Sequence, residues 1–558
     1  MFILRYKTPL RFGLFTSLCR TSTYFKRQQS QLVPQISANS DEYTDVPQYP
    51  PIHDLSFRAR KKSEAQKWYE EIIKASTVEE KMIKINMPRY YGYKVIDLHD
   101  RCLPYNCLPA LQHYTRTVLE KMPSKIGDEV LANQVEAIRT DVQDAIELAC
   151  DCFRLKYPVS SGLDPVEREQ LLSQIIVEQI HRAVINALAV DHQHLQEVEV
   201  DYNPRHEAFW AVGGIQPPRN VVKSKEGKKW QKDFSKDPID RLMQYRSSPM
   251  LALRHRLQLA PWKGETEIVN PKLAEKLPRY ELDPVTLGFS RSYRHGTNIA
   301  GYWPSNLPGF GYLSYQSRAV MKMRPDSYGV DDFNDAIHAQ AIQSSFAWLL
   351  AQANYNGFNT YSELTYPMNT QTIITNGRVW SFYEYQLNTL LMHGDQINEN
   401  PKVNYCRGTE ELNLYESIDE NGKIKGFNDL VLHHLVKFYT KIPSVQRSAA
   451  EMQPYLNVEI KRIADYMDDE KRIFLEKTYK FMVSNRPRHL EIPEIYLWEK
   501  IYKIDNKTRP LDARRRFFEL NINPWRRTLD QHQKEYIPKV IRPEGPKSKK
   551  KWKATYYP

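Results

Sequence analysis

The chain has few cysteines. Six in 558 residues, Cys19, Cys102, Cys107, Cys150, Cys152 and Cys406, are too scattered for a disulfide framework. Cys102-x4-Cys107 and Cys150-x-Cys152 lack the paired spacing of zinc sites, so buried free thiols are expected. Nowhere do 18 apolar residues run together, and no helical membrane span is expected. There is no G-x-S-x-G, H-E-x-x-H, Walker lysine loop or G-x-G-x-x-G, which removes the common hydrolase, metalloprotease and nucleotide-binding signatures. Gly309-Phe-Gly311 is too short to cradle a phosphate and reads as a turn. His192-Gln-His194 and His433-His434 could ligate a metal, but no third ligand cluster accompanies them, and they read as packing or surface histidines. No catalytic residue, cofactor or metal is therefore expected.

Acidic residues are also missing where they matter. Residues 1–40 hold six basic side chains and no acid, and the first carboxylate is Asp41. Arg5, Lys7, Arg11, Arg20, Lys26 and Arg27 alternate with Phe2, Leu4, Leu10, Phe12, Leu14 and Phe15. That composition is the one of a mitochondrial transit peptide, expected over 1–38, and the early cations break the apolar core that a secretory signal needs. Residues 503–558 carry 16 basic and 6 acidic side chains, whereas 41–502 carry 57 and 61. The body is slightly acidic and the ends hold the +12 net charge.

In the C-terminal segment the cations are interleaved with aromatics. Arg514, Arg515 and Arg516 precede Phe517-Phe518; Trp525 precedes Arg526 and Arg527; Lys547, Lys549, Lys550, Lys551, Trp552 and Lys553 close the chain. Such cations neutralise phosphates, and Trp and Tyr stack on unpaired bases, so these are candidate RNA contacts. A third cluster, over 217–236, sets Lys228 and Lys229 beside Trp230, and reads as an exposed basic loop after Gly213-Gly214 and Pro217-Pro218.

The apolar pattern is richest from Ala341 to Phe438. Ile342, Phe346, Leu349, Leu350 and Ala353 recur at helical spacing, with Trp348 off that stripe. Asp331 and Asp332 are candidate caps, and Asn356-Gly357 a left-handed stop. Two β-prone runs flank Asn376-Gly377, a strong hairpin signal. Asn428 or Asp429 opens a last helix with Leu432, Leu435, Val436 and Phe438. Upstream, Phe57 to Ala75, 113–155 (cap Thr140 or Asp141) and 165–200 (cap Asp164) read as helices, 201–330 as short strands, and 447–484 as helical again. The fold class expected is α+β, with a mainly helical N-terminal half, a helix–hairpin–helix core near the C-terminal third, and extended termini. The expected divisions are 1–38, 39–160 (mainly helical), 161–330 (mixed), 331–440 (α+β core), 441–538 (helical extension) and 539–558 (basic tail).

Ser345-Phe-Ala-Trp, Ala351-Gln-Ala, Gly357-Phe, Tyr385-Gln-Leu-Asn-Thr and Lys425-Gly-Phe-Asn-Asp resemble a mitochondrial ribosomal protein family, once numbered small-subunit protein thirty and also called programmed cell death protein nine. Tyr49-Pro-Pro-Ile52, Val78-Glu-Glu-Lys-Met-Ile83, Ala149-Cys-Asp-Cys152 and Phe209-Trp210 extend the likeness, which covers roughly Tyr49 to Tyr439. The resemblance implies a structural component of the large mitoribosomal subunit in the matrix. Its implied partners are large-subunit rRNA and neighbouring mitoribosomal proteins, a related family member among them. Two other classes stay open: a matrix enzyme whose site would gather Asp331, Asp332, Asp335 and His338, and a pro-apoptotic interaction protein.

Overall fold

The computed structural model describes residues 93–452, with short breaks at 124–128, 159–161, 228–231, 295, 359, 361–363, 395 and 420–421, and single positions between 59 and 74. The chain divides into two units, Met1–Met87 and Pro88–Pro558, and the architecture below belongs to the second.

Two sheets dominate it. The smaller has the order β7 (Ser290–Arg294), β1 (Tyr93–Leu98), β5 (Ile239–Ser247), β4 (His206–Ile215), β8 (Ile299–Ala300). The larger runs β2 (Thr117–Lys121), β12 (Asn404–Gly408), β11 (Val379–Leu387), β10 (Met368–Thr375), β9 (Phe310–Ser317), β6 (Leu251–His255), β3 (Glu199–Tyr202), with β13 (Leu412–Asn413) also on β11. Three pairings are parallel: β1 with β5, β9 with β10, and β2 with β12. The small hairpin β14 (Ser417–Ile418) and β15 (Ile424–Lys425) stands apart. Among the described residues, the helices of eight or more residues are α1 (Leu108–Thr115), α2 (Glu129–Lys156), α3 (Pro165–Leu188), α4 (Arg219–Glu226), α5 (Gly329–Tyr355) and α6 (Asp429–Thr440).

The layers follow from which residues are apolar on which face. Helix α5 lies between the sheets: Ile342, Phe346, Leu349 and Leu350 share one core with Trp210, Met243 and Tyr245 of the smaller sheet and with Ile374, Tyr383 and Tyr385 of the larger. The opposite face of the larger sheet, with Leu313, Tyr315, Ile373, Trp380 and Phe382, packs on α2, α3 and α6. Strand alternation makes this possible, since neighbouring residues such as Phe382 and Tyr383 point to opposite sides. Every residue of α5 from Ala339 to Asn354 is buried, so it has no solvent face. Its polar side chains are bonded instead: Gln340 donates to Ser317 O, Ser345 pairs with Thr372 at 2.8 Å, and Gln352 accepts from Gly311 N.

Local signals explain the joints. Asn376 Oδ1 accepts from the backbone of Arg378 and Val379, and Gly377 takes φ 91°, turning β10 into β11. Asn428 caps α6 by accepting from Leu430 N. Gly357 at φ 94° ends α5, with Phe358 N returning to Ala353 O. At the other end of α6, the Tyr439 hydroxyl meets His181 at 2.8 Å and Tyr315 at 2.9 Å, fixing the helix to α3 and the sheet.

The helical N-terminal half is overturned. Between 93 and 255 lie six strands of the two sheets, and the α+β unit is built around a large β core. β4 is buried at all ten positions, so it shows no alternation to betray a strand. The expected helix 113–155 is α1, β2 and α2, with Thr140 and Asp141 inside α2 rather than capping it. The helix from 165 stops at Leu188, and β3 begins at Glu199. Asp331 and Asp332 sit in the first turn of α5 rather than at its cap, Tyr328. Gly311 is not in a turn but in β9, where an added Cβ would lie 2.7 Å from the Trp348 ring. The expected helix 447–484 lies outside the described residues beyond Met452.

Candidate functional site

The acidic group proposed for a matrix enzyme is brought together only in part. Asp332 accepts from Asn106 N at 2.7 Å and pairs with the Arg324 guanidinium, which also donates to Leu103 O and Pro104 O. This pair clamps the 103–107 loop to the start of α5. Asp335 is half-buried, and burial raises its carboxyl above the ordinary range. Burial likewise lowers His338, whose Nδ1 lies 2.9 Å from the Tyr383 hydroxyl. Both shifts favour the neutral forms, and Asp331 is exposed.

The other singled-out histidines pack. His194 Nε2 lies 2.9 Å from Tyr439 O, and His192 lies 2.9 Å from Gln134. His434 stacks on Phe382, and burial, then Lys437, lower its pKa to about 4. Among the described residues, no group of three or more His, Cys, Asp and Glu is placed to hold a metal. Cys107, Cys150 and Cys406 are buried thiols whose pKa burial raises, while Cys152 is exposed. No helix among the described residues is long and apolar enough to cross a membrane.

The interior carries charge as pairs that join elements. Arg254 of β6, 1 % exposed, reaches Asp201 of β3 at 2.5 Å and lies over the Tyr302 ring. Asp283 takes both Arg241 and Arg291. Glu384 of β11 takes Arg407 of β12 and Lys441, which follows α6.

One basic group, Arg116, has no acidic partner of this kind among the described residues. Arg116 ends α1 in the left-handed region, at φ 49°. Its guanidinium donates to the carbonyls of Ile397, Asn400 and Lys402, at the end of the one-turn helix Gln396–Glu399. Beside it a cleft enclosing about 280 Å³ of empty space, part of it open to solvent, is lined by His113, Arg116, Arg279 and Asn398, with Leu277 and Ile397 as apolar walls. His113 is buried, and its Nε2 has no hydrogen-bond partner among the described residues. No motif marks this cleft, because its walls come from three distant segments.

Of the candidate RNA contacts, Lys228, Lys229 and Trp230 fall in the break at 228–231, and Arg514 to Arg516, Trp525 to Arg527 and Lys547 to Lys553 lie outside the described residues. The N-terminal side of the internal cluster is α4, a helix with no buried residue rather than a loop. Lys225 beyond its centre donates to Phe234 O at 3.0 Å.

Comparison with known families supplies the class that the chemistry alone does not. Residues 16–443 match the model of a family of mitochondrial ribosomal proteins, a span that takes in both sheets and helices α1 to α6. The chain belongs to that family, mitochondrial 28S ribosomal protein S30 (PDCD9). It is accordingly a mitochondrial ribosomal protein of the matrix, with ribosomal components as its partners. The match stops three residues after α6, where the resemblance legible in the sequence also ends.

Proposed function

We propose that this chain is a non-catalytic structural protein of the large mitoribosomal subunit, supporting mitochondrial translation through protein and rRNA contacts. The observation that supports the ribosomal role is the family match over 16–443, which embraces the described body rather than one motif, while the large-subunit placement is what the resemblance in the sequence implies against the family's 28S numbering. On this reading the slightly acidic body packs on neighbouring proteins, a related family member among them. Arg514 to Arg516, Trp525 to Arg527, Lys547 to Lys553 and the 228–230 cluster then neutralise and stack on large-subunit rRNA. Residues 1–38 serve as the transit peptide.

Detergent-lysed mitochondria sedimented on sucrose gradients test it, with magnesium and then with EDTA to split the subunits. The protein is expected to follow large-subunit rRNA in both. Co-migration with small-subunit rRNA after EDTA would overturn the subunit assignment. A protein that stays at the top of both gradients would overturn the structural ribosomal role.

A further inference from the structure

Helix α2 buries one face and leaves the other in solvent. Val135, Ile138, Val142, Ile146, Ala149 and Phe153 are buried, most of them in the core shared with α3 and α6. That spacing turns Ala137, Asp144, Leu148, Asp151 and Leu155 outward, and all five are exposed. Leu155, 85 % exposed, is the most exposed large apolar side chain among the described residues, and Leu148 is 56 % exposed. They lie two turns apart on one line of the helix, separated by ~10.5 Å. An aligned pair on one face differs from the isolated surface leucine that needs no explanation.

The charge around the leucines is of one sign. From Glu129 to Asp151 the helix carries six acids against Arg139 alone, and Arg139 is taken by Asp429. Glu136, Asp141 and Asp144 are exposed and form no ion pair among the described residues. Asp151 has only its helix neighbour Arg154, at 3.4 Å. At the flank, Lys423 of the small hairpin is held by Glu147 at 2.6 Å. The face therefore fits a cationic segment that carries apolar groups among its charges. Residues 514–527 have that composition: five arginines and one acid, with Phe517, Phe518 and Trp525 among them. The 61 residues between Met452 and Arg514 span up to ~200 Å when extended, so reach does not limit them. Exposed ion pairs are individually weak. A tethered occupant tolerates this, because linkage raises its local concentration toward about the millimolar range.

We propose that the outward face of α2 is the docking site of this chain's own segment 514–527. Phe517 and Phe518 cover Leu148 and Leu155, and the arginines on either side meet Asp141, Asp144 and Asp151. The same arginines cannot hold carboxylates and phosphates at once. Docking and RNA binding therefore compete, and α2 keeps the segment off unrelated polyanions until rRNA displaces it. The competition rests on the reading of 514–527 as an rRNA contact; the docking does not.

Cys152, exposed on the same helix one turn from each leucine, supplies a native handle for the test. A benzophenone attached to Cys152 of the purified mature chain captures on illumination whatever lies over the face, and mass spectrometry identifies the captured peptide. At low salt and without RNA, capture of 514–527 is expected. Arg514→Gln, Arg515→Gln and Arg516→Gln together should lower its yield about threefold or more. Phe517→Ser with Phe518→Ser changes no charge and should lower it as well. Both sets lie outside the described body and leave its buried core untouched. Mixing ¹⁵N-labelled and unlabelled chains separates a chain's own segment from that of a second copy. Capture within one chain supports the proposal, and capture only between chains overturns it. Capture of other peptides alone, or a yield that neither variant lowers, overturns it too. Excess single-stranded RNA oligonucleotide is expected to abolish capture; RNA that binds and leaves capture intact overturns the competition. Docking is read without RNA, so its failure would leave the gradient sedimentation result as it stands, and the reverse also holds.

Discussion

At the scale of single residues, the molecule is decided by where its charges end. Glu384 is about 5 % exposed at the side chain, yet its pKa is lowered. Burial pushes the carboxyl up, but Lys441 and Arg407 together outweigh it. A carboxylate whose folded value is depressed contributes stability that is present above the ordinary glutamate range and is lost as pH falls through the folded value. Glu384→Gln leaves two cations against a neutral amide. It should cost about 2–3 kcal/mol near neutrality, less than a fully buried pair because Arg407 and Lys441 each keep part of their surface in water. Urea unfolding of both proteins across pH should show that difference shrinking toward acid, where Glu384 is itself protonated. A difference that stays constant into acid would mean that the pair contributes through packing alone.

The same scale shows what the sequence could not disclose. Arg116 interrupts what reads as one helix from 113 to 155, because it adopts a left-handed backbone held by three carbonyls. Those carbonyls belong to residues 397–402, and no local pattern carries them. The cleft was hidden for the same reason: His113, Arg279 and Asn398 are near one another only after folding.

At the scale of elements, legibility follows locality. The Asn376-Gly377 hairpin, the Gly357 stop and the Asn428 cap rest on bonds within a few residues, and each could be read directly. β4 could not, since burial on both faces removes the alternation that marks a strand. For α5 the helix was readable but its place was not: Trp348 off the apolar stripe hinted at burial all round, yet nothing named the two sheets that enclose it. The hairpin supplies an element-level test. An alanine at Gly377 meets φ 91°, which costs a side chain about 1–2 kcal/mol, and its Cβ would lie 2.8 Å from Ile176 Cδ1 of α3. Gly377→Ala should therefore lower unfolding stability by about 1–3 kcal/mol in urea melts. A value within about 0.5 kcal/mol of wild type, the range of neutral surface changes, would show that the turn is not held in this form.

At the scale of the whole molecule, charge is separated along the chain. The body is near neutral and slightly acidic, while the segment from 503 onward is +10. If that segment grips rRNA, removing 540–558 takes away six basic residues. Each lost phosphate contact should flatten the dependence of log affinity on log salt by about 0.7 for single-stranded RNA. Binding of the purified full-length and shortened chains to an rRNA fragment, measured from low to physiological salt, gives both slopes. An unchanged slope would remove the tail from the contact surface. The family was legible at this scale too, because short segments from the N-terminal region to Tyr439 carried it and the match covers 16–443.

The pairing of β2 with β12 has a consequence in time. Thr117 lies beside Asn404, so the outermost strand of the larger sheet waits for a partner almost at the end of the described body. A polypeptide delivered from its N-terminus holds β2 unpaired until Gly408 has arrived, and α5 emerges before β10 and β11 exist to cover its far side. Such distant pairings are slow to form and leave apolar surface bare meanwhile. Delivery and folding of this chain are therefore out of step by construction: β2 cannot be paired short of residue 408, and a product halted between Tyr355 and Met368 presents the uncovered side of α5 to whatever binds unfolded chains in the matrix.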